Sequence, residues 1–157
     1  PYSIHVFNLL GQQLFKWELN DSATRTNLGR ALASFNNNEL IVADRINKRF
    51  NIYSLTGEFL RSVKCDEIGT SRISLCHAGG DSIIVTNCGA SQELFKFNLA
   101  AAAVEWRSNA VKQPSAVAMV NKAYAVVTEF NSSAQVKLYI VNQMTGVKNF
   151  FFYIYTT

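Results

Sequence analysis

The stretch Val42-Ala43-Asp44-Arg45-Ile46-Asn47-Lys48-Arg49-Phe50-Asn51-Ile52-Tyr53-Ser54-Leu55-Thr56-Gly57-Glu58-Phe59-Leu60-Arg61 decides how the rest of the chain is read. Short apolar runs rich in Val, Ile, Phe and Tyr are separated first by a polar turn and then by a Thr-Gly turn, the pattern of antiparallel strands. Asp44 closes one run and Arg49 opens the next. Across such a hairpin the carboxylate is placed to meet the guanidinium and the turn amides, and Asn47 is a residue that tolerates a left-handed backbone. Local side-chain bonds of this kind favour turns, so the three residues are read as a staple that needs no ligand.

Working outward, the same strand plan recurs. Ile83 to Asn87, Leu94 to Leu99 and Val104 to Arg107 repeat it once, and Ala125 to Glu129, Val136 to Val141 and Val147 to Phe152 repeat it again. The markers Val42, Val85 and Val127 lie 43 and 42 residues apart. A period of about 43 residues corresponds to one four-stranded antiparallel sheet per repeat. An additional short strand opens each repeat at Arg30 to Ser34, Arg72 to Cys76 and Ser115 to Met119, and Ile4 to Leu10 with Gln13 to Leu19 supply half a repeat ahead of them. The expected fold is all-β: a partial β-propeller with three four-stranded blades and two strands of a further one, about 14 strands. Its units are a half-blade over 1–20 and blades over 28–65, 71–108 and 114–155. Leu99 to Val104 is read as a turn and a strand, being too short to nucleate a helix.

Residues 42–61 resemble the NHL repeat signature, in which Val-Ala-Asp is followed by two variable residues, Asn, one variable residue and Arg, then a strand and a Gly turn. The matching positions are Asp44, Asn47 and Arg49. In the second repeat Asn87 stands for the Asp and Gln92 falls where the Arg is expected, while Glu129 opens a longer turn in the third that lacks both partners. Ile84 to Asn87 is also similar to the YVTN type of propeller repeat. The resemblance implies a binding scaffold, with protein as the first class of partner and single-stranded RNA as the alternative. A metal-dependent propeller hydrolase or lyase is a second alternative.

The 157 residues carry 15 Lys and Arg against 11 Asp and Glu, a net charge of +4. That excess permits anionic partners without requiring them. Strands in a blade alternate in direction, so the turn between the second and third strands shares a face with the connections between blades. This face is expected to carry Arg25, Arg30, Arg45, Lys48, Lys64, Arg72 and Lys112, interrupted by Asp21, Asp66, Glu67 and Glu93. The opposite rim carries Glu39, Glu58 and Asp81 beside Lys122. RNA readers usually add exposed aromatics to the charge, and these loops hold almost none, so protein ranks first.

Catalytic chemistry is weakly represented. His5 and His77 are far apart, and His77 is read as a solvated residue of the Gly-rich turn 78–81. Cys76 and His77 are neighbours on a strand and so point to opposite faces, which argues against a nucleophile pair. No cofactor or metal is expected, and the chain is read as non-enzymatic. Cys65, Cys76 and Cys88 are odd in number and lack C-x-x-C spacing, which fits a reducing compartment and ranks the cytoplasm above secretion. Asn20-Asp21-Ser22 and Asn131-Ser132-Ser133 match the glycosylation sequon. A six-bladed ring needs about 260 residues, so a longer parent chain, a second copy or an open stack with exposed ends is expected, and open blade edges favour self-association.

Overall fold

The computed structural model describes residues 3–18, 31–36, 38–88, 92–129 and 135–155. It begins with a hairpin of β1 (Ser3–Phe7) and β2 (Gln13–Glu18). Three four-stranded sheets follow: β3 (Leu32–Phe35), β4 (Glu39–Asp44), β5 (Arg49–Ser54) and β6 (Phe59–Lys64); β7 (Arg72–Gly79), β8 (Ser82–Cys88), β9 (Glu93–Asn98) and β10 (Ala103–Ser108); β11 (Pro114–Met119), β12 (Tyr124–Glu129), β13 (Gln135–Asn142) and β14 (Lys148–Tyr155). Each sheet is an antiparallel meander in sequence order, as the repeat spacing predicts.

Burial explains why the middle strands read as continuous apolar runs. Nearly all of β4, β5, β8 and β9 is buried, because a sheet stacked between two neighbours covers both of its faces. The fourth strands β6 and β10 are largely exposed. Three apolar clusters lie in the seams between successive sheets. The largest joins Phe35, Ile41, Phe50 and Ile52 of the first sheet to Leu75, Val85, Phe95 and Phe97 of the second, with the Phe50 and Phe97 rings 5.6 Å apart. A second cluster joins Ile84 and Leu94 to Val117, Val127 and Val141. A third joins Ile4 and Trp17 of the hairpin to Val42 and Tyr53.

Two glycines show how closely the sheets approach. Gly57, at φ 93°, turns the chain between β5 and β6 beneath Trp17; a Cβ there would lie 2.5 Å from the indole Cγ. Gly146, at φ 71°, does the same beneath Trp106, whose Nε1 donates to the Gln143 carbonyl at 2.8 Å. Aromatic side chains thus pack between the blades, with tryptophans at two of the seams. An apolar run without alternation, such as Phe150 to Tyr155, is expected to be covered on both faces, but its side chains lie outside the described residues.

Candidate functional site

The Asp44 hairpin is built as a staple. Asp44 is fully buried; its Oδ1 accepts from the Asn47 amide at 3.2 Å, and its Oδ2 accepts from Asn47 Nδ2 at 2.8 Å and Arg49 Nε at 2.9 Å. The left-handed residue, however, is Lys48, at φ 49°, and not Asn47. Asn47 has its side chain committed to Asp44. The bend at Lys48 instead presents the Lys48 carbonyl to the Cys65 amide at 2.8 Å, which joins the turn to the connection between β6 and β7.

The later repeats use the same position differently. In the β8–β9 register Glu93, not Gln92, stands opposite Asn87, and Gln92 takes the left-handed turn position at φ 45°. Buried Asn87 accepts from the Gly69 amide at 3.0 Å and donates to the Glu67 carbonyl at 2.8 Å, so it holds the connection that precedes its own sheet. The third repeat does not lack the pair: Glu129 meets Lys137 at 3.1 Å and accepts from the Tyr139 hydroxyl at 2.7 Å. The longer turn displaces the cation in sequence but not across the ladder, where Glu129 and Lys137 are register partners. Burial would raise the Glu129 pKa, but bonds from Tyr139 and Lys137 and the lysine charge outweigh it and leave the carboxyl below its ordinary value.

These supports bear on several of the basic residues that the sequence places on one face. Asn87 holds Glu67 and Gly69, and the next two carbonyls, of Thr70 and Ser71, accept from Arg45 Nη1 at 2.8 and 2.6 Å. Arg45 Nε is buried and has no hydrogen-bond partner among the described residues. Lys48 Nζ donates to the Asp66 carbonyl at 3.1 Å, and Lys64 pairs with the Asp66 carboxylate at 3.2 Å, an exposed pair worth little to stability. Arg72 begins β7, and Lys112 is exposed in the connection before β11. Arg25 and Arg30 lie outside the described residues.

Arg107 was missing from the sequence-derived face because it ends a strand instead of occupying a loop. It meets Glu67 at 2.7 Å and Glu93 at 3.5 Å, so those two acids are engaged on the outer part of the face. Ser115 was also missed as a site residue. A polar seam places it: Thr86 Oγ1 accepts from the Ser74 amide at 2.9 Å and donates to the Ser115 carbonyl at 3.3 Å. The result is a cleft of about 330 Å³ lined by Arg45, Arg72, Ile73 and Ser115, with each of the three sheets contributing.

The histidines do not assemble a metal site. Both ring nitrogens of His5 are occupied, by Ser3 at 2.9 Å and Gln13 at 2.8 Å. His77 lies within β7 rather than in the turn; its Nε2 meets the Gly80 carbonyl at 2.9 Å, and its ring stands edge-on to Phe35. Packing against Phe35 extends the strand past the point where the glycines would have begun a loop. Among the described residues no three His, Cys, Asp or Glu side chains gather as metal ligands. Cys76 packs toward the third sheet while His77 faces the first, as strand alternation requires. Burial pushes the Cys76 thiol up to about 11, and burial together with Glu67 pushes Cys65 up to about 12, so both stay protonated and unreactive near neutrality.

No protein-family model and no curated protein sequence matches the chain. Solved structures do. The Dos1 propeller aligns with 97% of this chain at a TM-score of 0.62 and 17% identity. The fold is that of a β-propeller. The Saccharomyces cerevisiae Sqt1 structure aligns with 95% of the chain at 0.62 and 16% identity, and the Kuenenia stuttgartiensis hydrazine synthase with 98% at 0.65 and 11%. The chain spans 42% of the Dos1 and Sqt1 chains and 43% of the hydrazine synthase chain. In propeller terms β3, β7 and β11 are the inner strands, and they contact one another in succession. The Arg45–Arg72–Ser115 cleft therefore opens over the inner strands, and the Arg107 cluster lies toward the periphery.

Proposed function

We propose that this propeller is a non-enzymatic binding scaffold of the NHL type that engages a protein partner through the face carrying Arg45, Lys48, Lys64, Arg72 and Lys112. The observation that carries the reading is the cleft on that face, where three blades meet and two arginines converge with a serine and an isoleucine. Around it, cations alternate with Asp66, Glu67 and Glu93. Mixed charge of this kind complements a folded or peptide surface better than a phosphate chain, which is uniformly negative. The Asp44, Asn47 and Arg49 staple supports the NHL assignment. A cytoplasmic setting accords with the three free thiols, two of them held protonated.

The test is a pulldown that compares the parent chain with the Lys48→Glu, Arg72→Glu, Lys112→Glu triple variant. Arg45 is left in place because it also anchors the β6–β7 connection. The triple variant is expected to lose partners that the parent retains. Retention of all of them would refute the assignment of this face. RNA binding is the competing outcome: an oligouridylate that binds at about 50 mM salt and dissociates steeply as salt rises would replace the protein reading. The β1–β2 hairpin, with Phe7 55% and Phe15 44% exposed, supports self-association through its edge.

A further inference from the structure

From the state of Arg45 we infer that the cleft lined by Arg45, Arg72, Ile73 and Ser115 receives a carboxylate of the protein partner, supplied by an acidic side chain or by a chain end. This inference rests on the protein-binding reading and names the chemistry of the group that is bound.

The Arg45 guanidinium is half-buried and prealigned. Nη1 has two hydrogens, and each is taken by a carbonyl, that of Thr70 or that of Ser71. These bonds hold the guanidinium plane without neutralising its charge, and Arg45 has no carboxylate partner among the described residues. What remains is the edge formed by Nε and Nη2, the edge that takes a carboxylate through two parallel hydrogen bonds. Its Nε is buried and has no hydrogen-bond partner among the described residues, an unfavourable state that an acceptor would relieve.

The rest of the lining suits the same ligand. Arg72 adds a second cationic residue to the lining, and the Ser115 hydroxyl makes no hydrogen bond among the described residues, so it can donate to the same anion. Ile73 gives an apolar wall for the methylenes of a Glu side chain or the body of a terminal residue. At about 330 Å³ the cleft is at the small end for a ligand site, enough for one or two residues rather than a stretch of nucleotides. The acids of this face are drawn outward: Glu67 and Glu93 are held by Arg107.

The experiment titrates the 157-residue chain with short labelled peptides by fluorescence anisotropy. One peptide carries a central Glu pair and an amidated end, one carries Gln in place of Glu and a free terminal carboxylate, and a blank carries Gln and an amide. At least one carboxylate peptide is expected to bind and the blank is not; which one binds identifies the source. Arg72→Met is expected to weaken binding about tenfold, and Ser115→Ala several-fold, consistent with loss of a hydrogen bond to a charged group. Lys122→Met, on the opposite rim, should leave affinity unchanged. Thermal melts of each variant exclude unfolding as the cause.

Equal binding of the blank, indifference to Arg72→Met, or no carboxylate peptide bound at millimolar concentration would each overturn the inference. So would binding of an oligouridylate through Arg72 when the peptides do not bind. If the peptides fail while the charge-reversed triple variant still loses its partners, the carboxylate inference falls and the protein-binding reading stands. If the peptides bind through Arg72 and the triple variant loses nothing, the assignment of the whole face falls instead.

Discussion

Replacing Asp44 by Ala removes a fully buried carboxylate that accepts three hydrogen bonds, one of them from the Arg49 guanidinium. Breaking a buried ion pair by deleting one partner costs about 3–5 kcal/mol. Here the Arg49 side chain is 27% exposed, and water screens the remaining charge, so the lower end applies and about 3 kcal/mol is expected. Against a total stability of about 5–15 kcal/mol this is a large fraction. Urea unfolding followed by Trp17 and Trp106, which sit at the seams, should show the midpoint falling by about 1.5 M for an unfolding slope near 2 kcal/mol/M. Asn47→Ala alone should cost about 1 kcal/mol, since it removes only the Nδ2 bond. In the Asp44→Ala background it should cost almost nothing, because its acceptor is already gone. A loss below about 0.5 kcal/mol for Asp44→Ala would refute the staple. Full additivity of the two changes would show that Asn47 acts through some other contact.

Two further outcomes are expected. Gly57→Ala and Gly146→Ala should each destabilise by about 2–3 kcal/mol, combining positive φ with a clash against the adjoining indole; Trp emission should shift with them, whereas Ala102→Gly, at φ 50°, should change stability by less than about 1 kcal/mol. The folded-state carboxyls of Glu129 and Glu105 lie below their ordinary value of 4.5, so their contribution is present above that pH and is lost as the pH falls through the depressed value. Glu129→Gln should therefore reduce stability at pH 7 and flatten the decline seen below about pH 4.5 in chemical denaturation.

Much of the architecture was legible because hydrophobic alternation and turn chemistry are local. Val42, Val85 and Val127 mark equivalent strands, and all 14 strands lie close to their expected places. The exceptions trace to forces that act between strands. Left-handed backbone went to Lys48 instead of Asn47 because Asn47 was already bonded to Asp44. His77 stayed in β7 because Phe35, in another blade, packs against its ring. Glu129 kept a cation because ladder register, not distance along the chain, brings Lys137 opposite it.

The candidate site divides in the same way. Arg45 and Arg72 were placed on one face by counting strand reversals, a property of any meander. That they share a cleft with Ser115 depends on three blades packing at a particular separation, set by Phe50 against Phe97 and by the bond from Thr86 to the Ser115 carbonyl. Strand plan and period therefore belong to the sequence by itself, since each follows from periodicity and alternation within one repeat. Which cations are matched by acids, and that one edge of the Arg45 fork has no partner among the described residues, was decided only by tertiary structure, because the carbonyls of Thr70 and Ser71 reach it from the far side of a blade boundary.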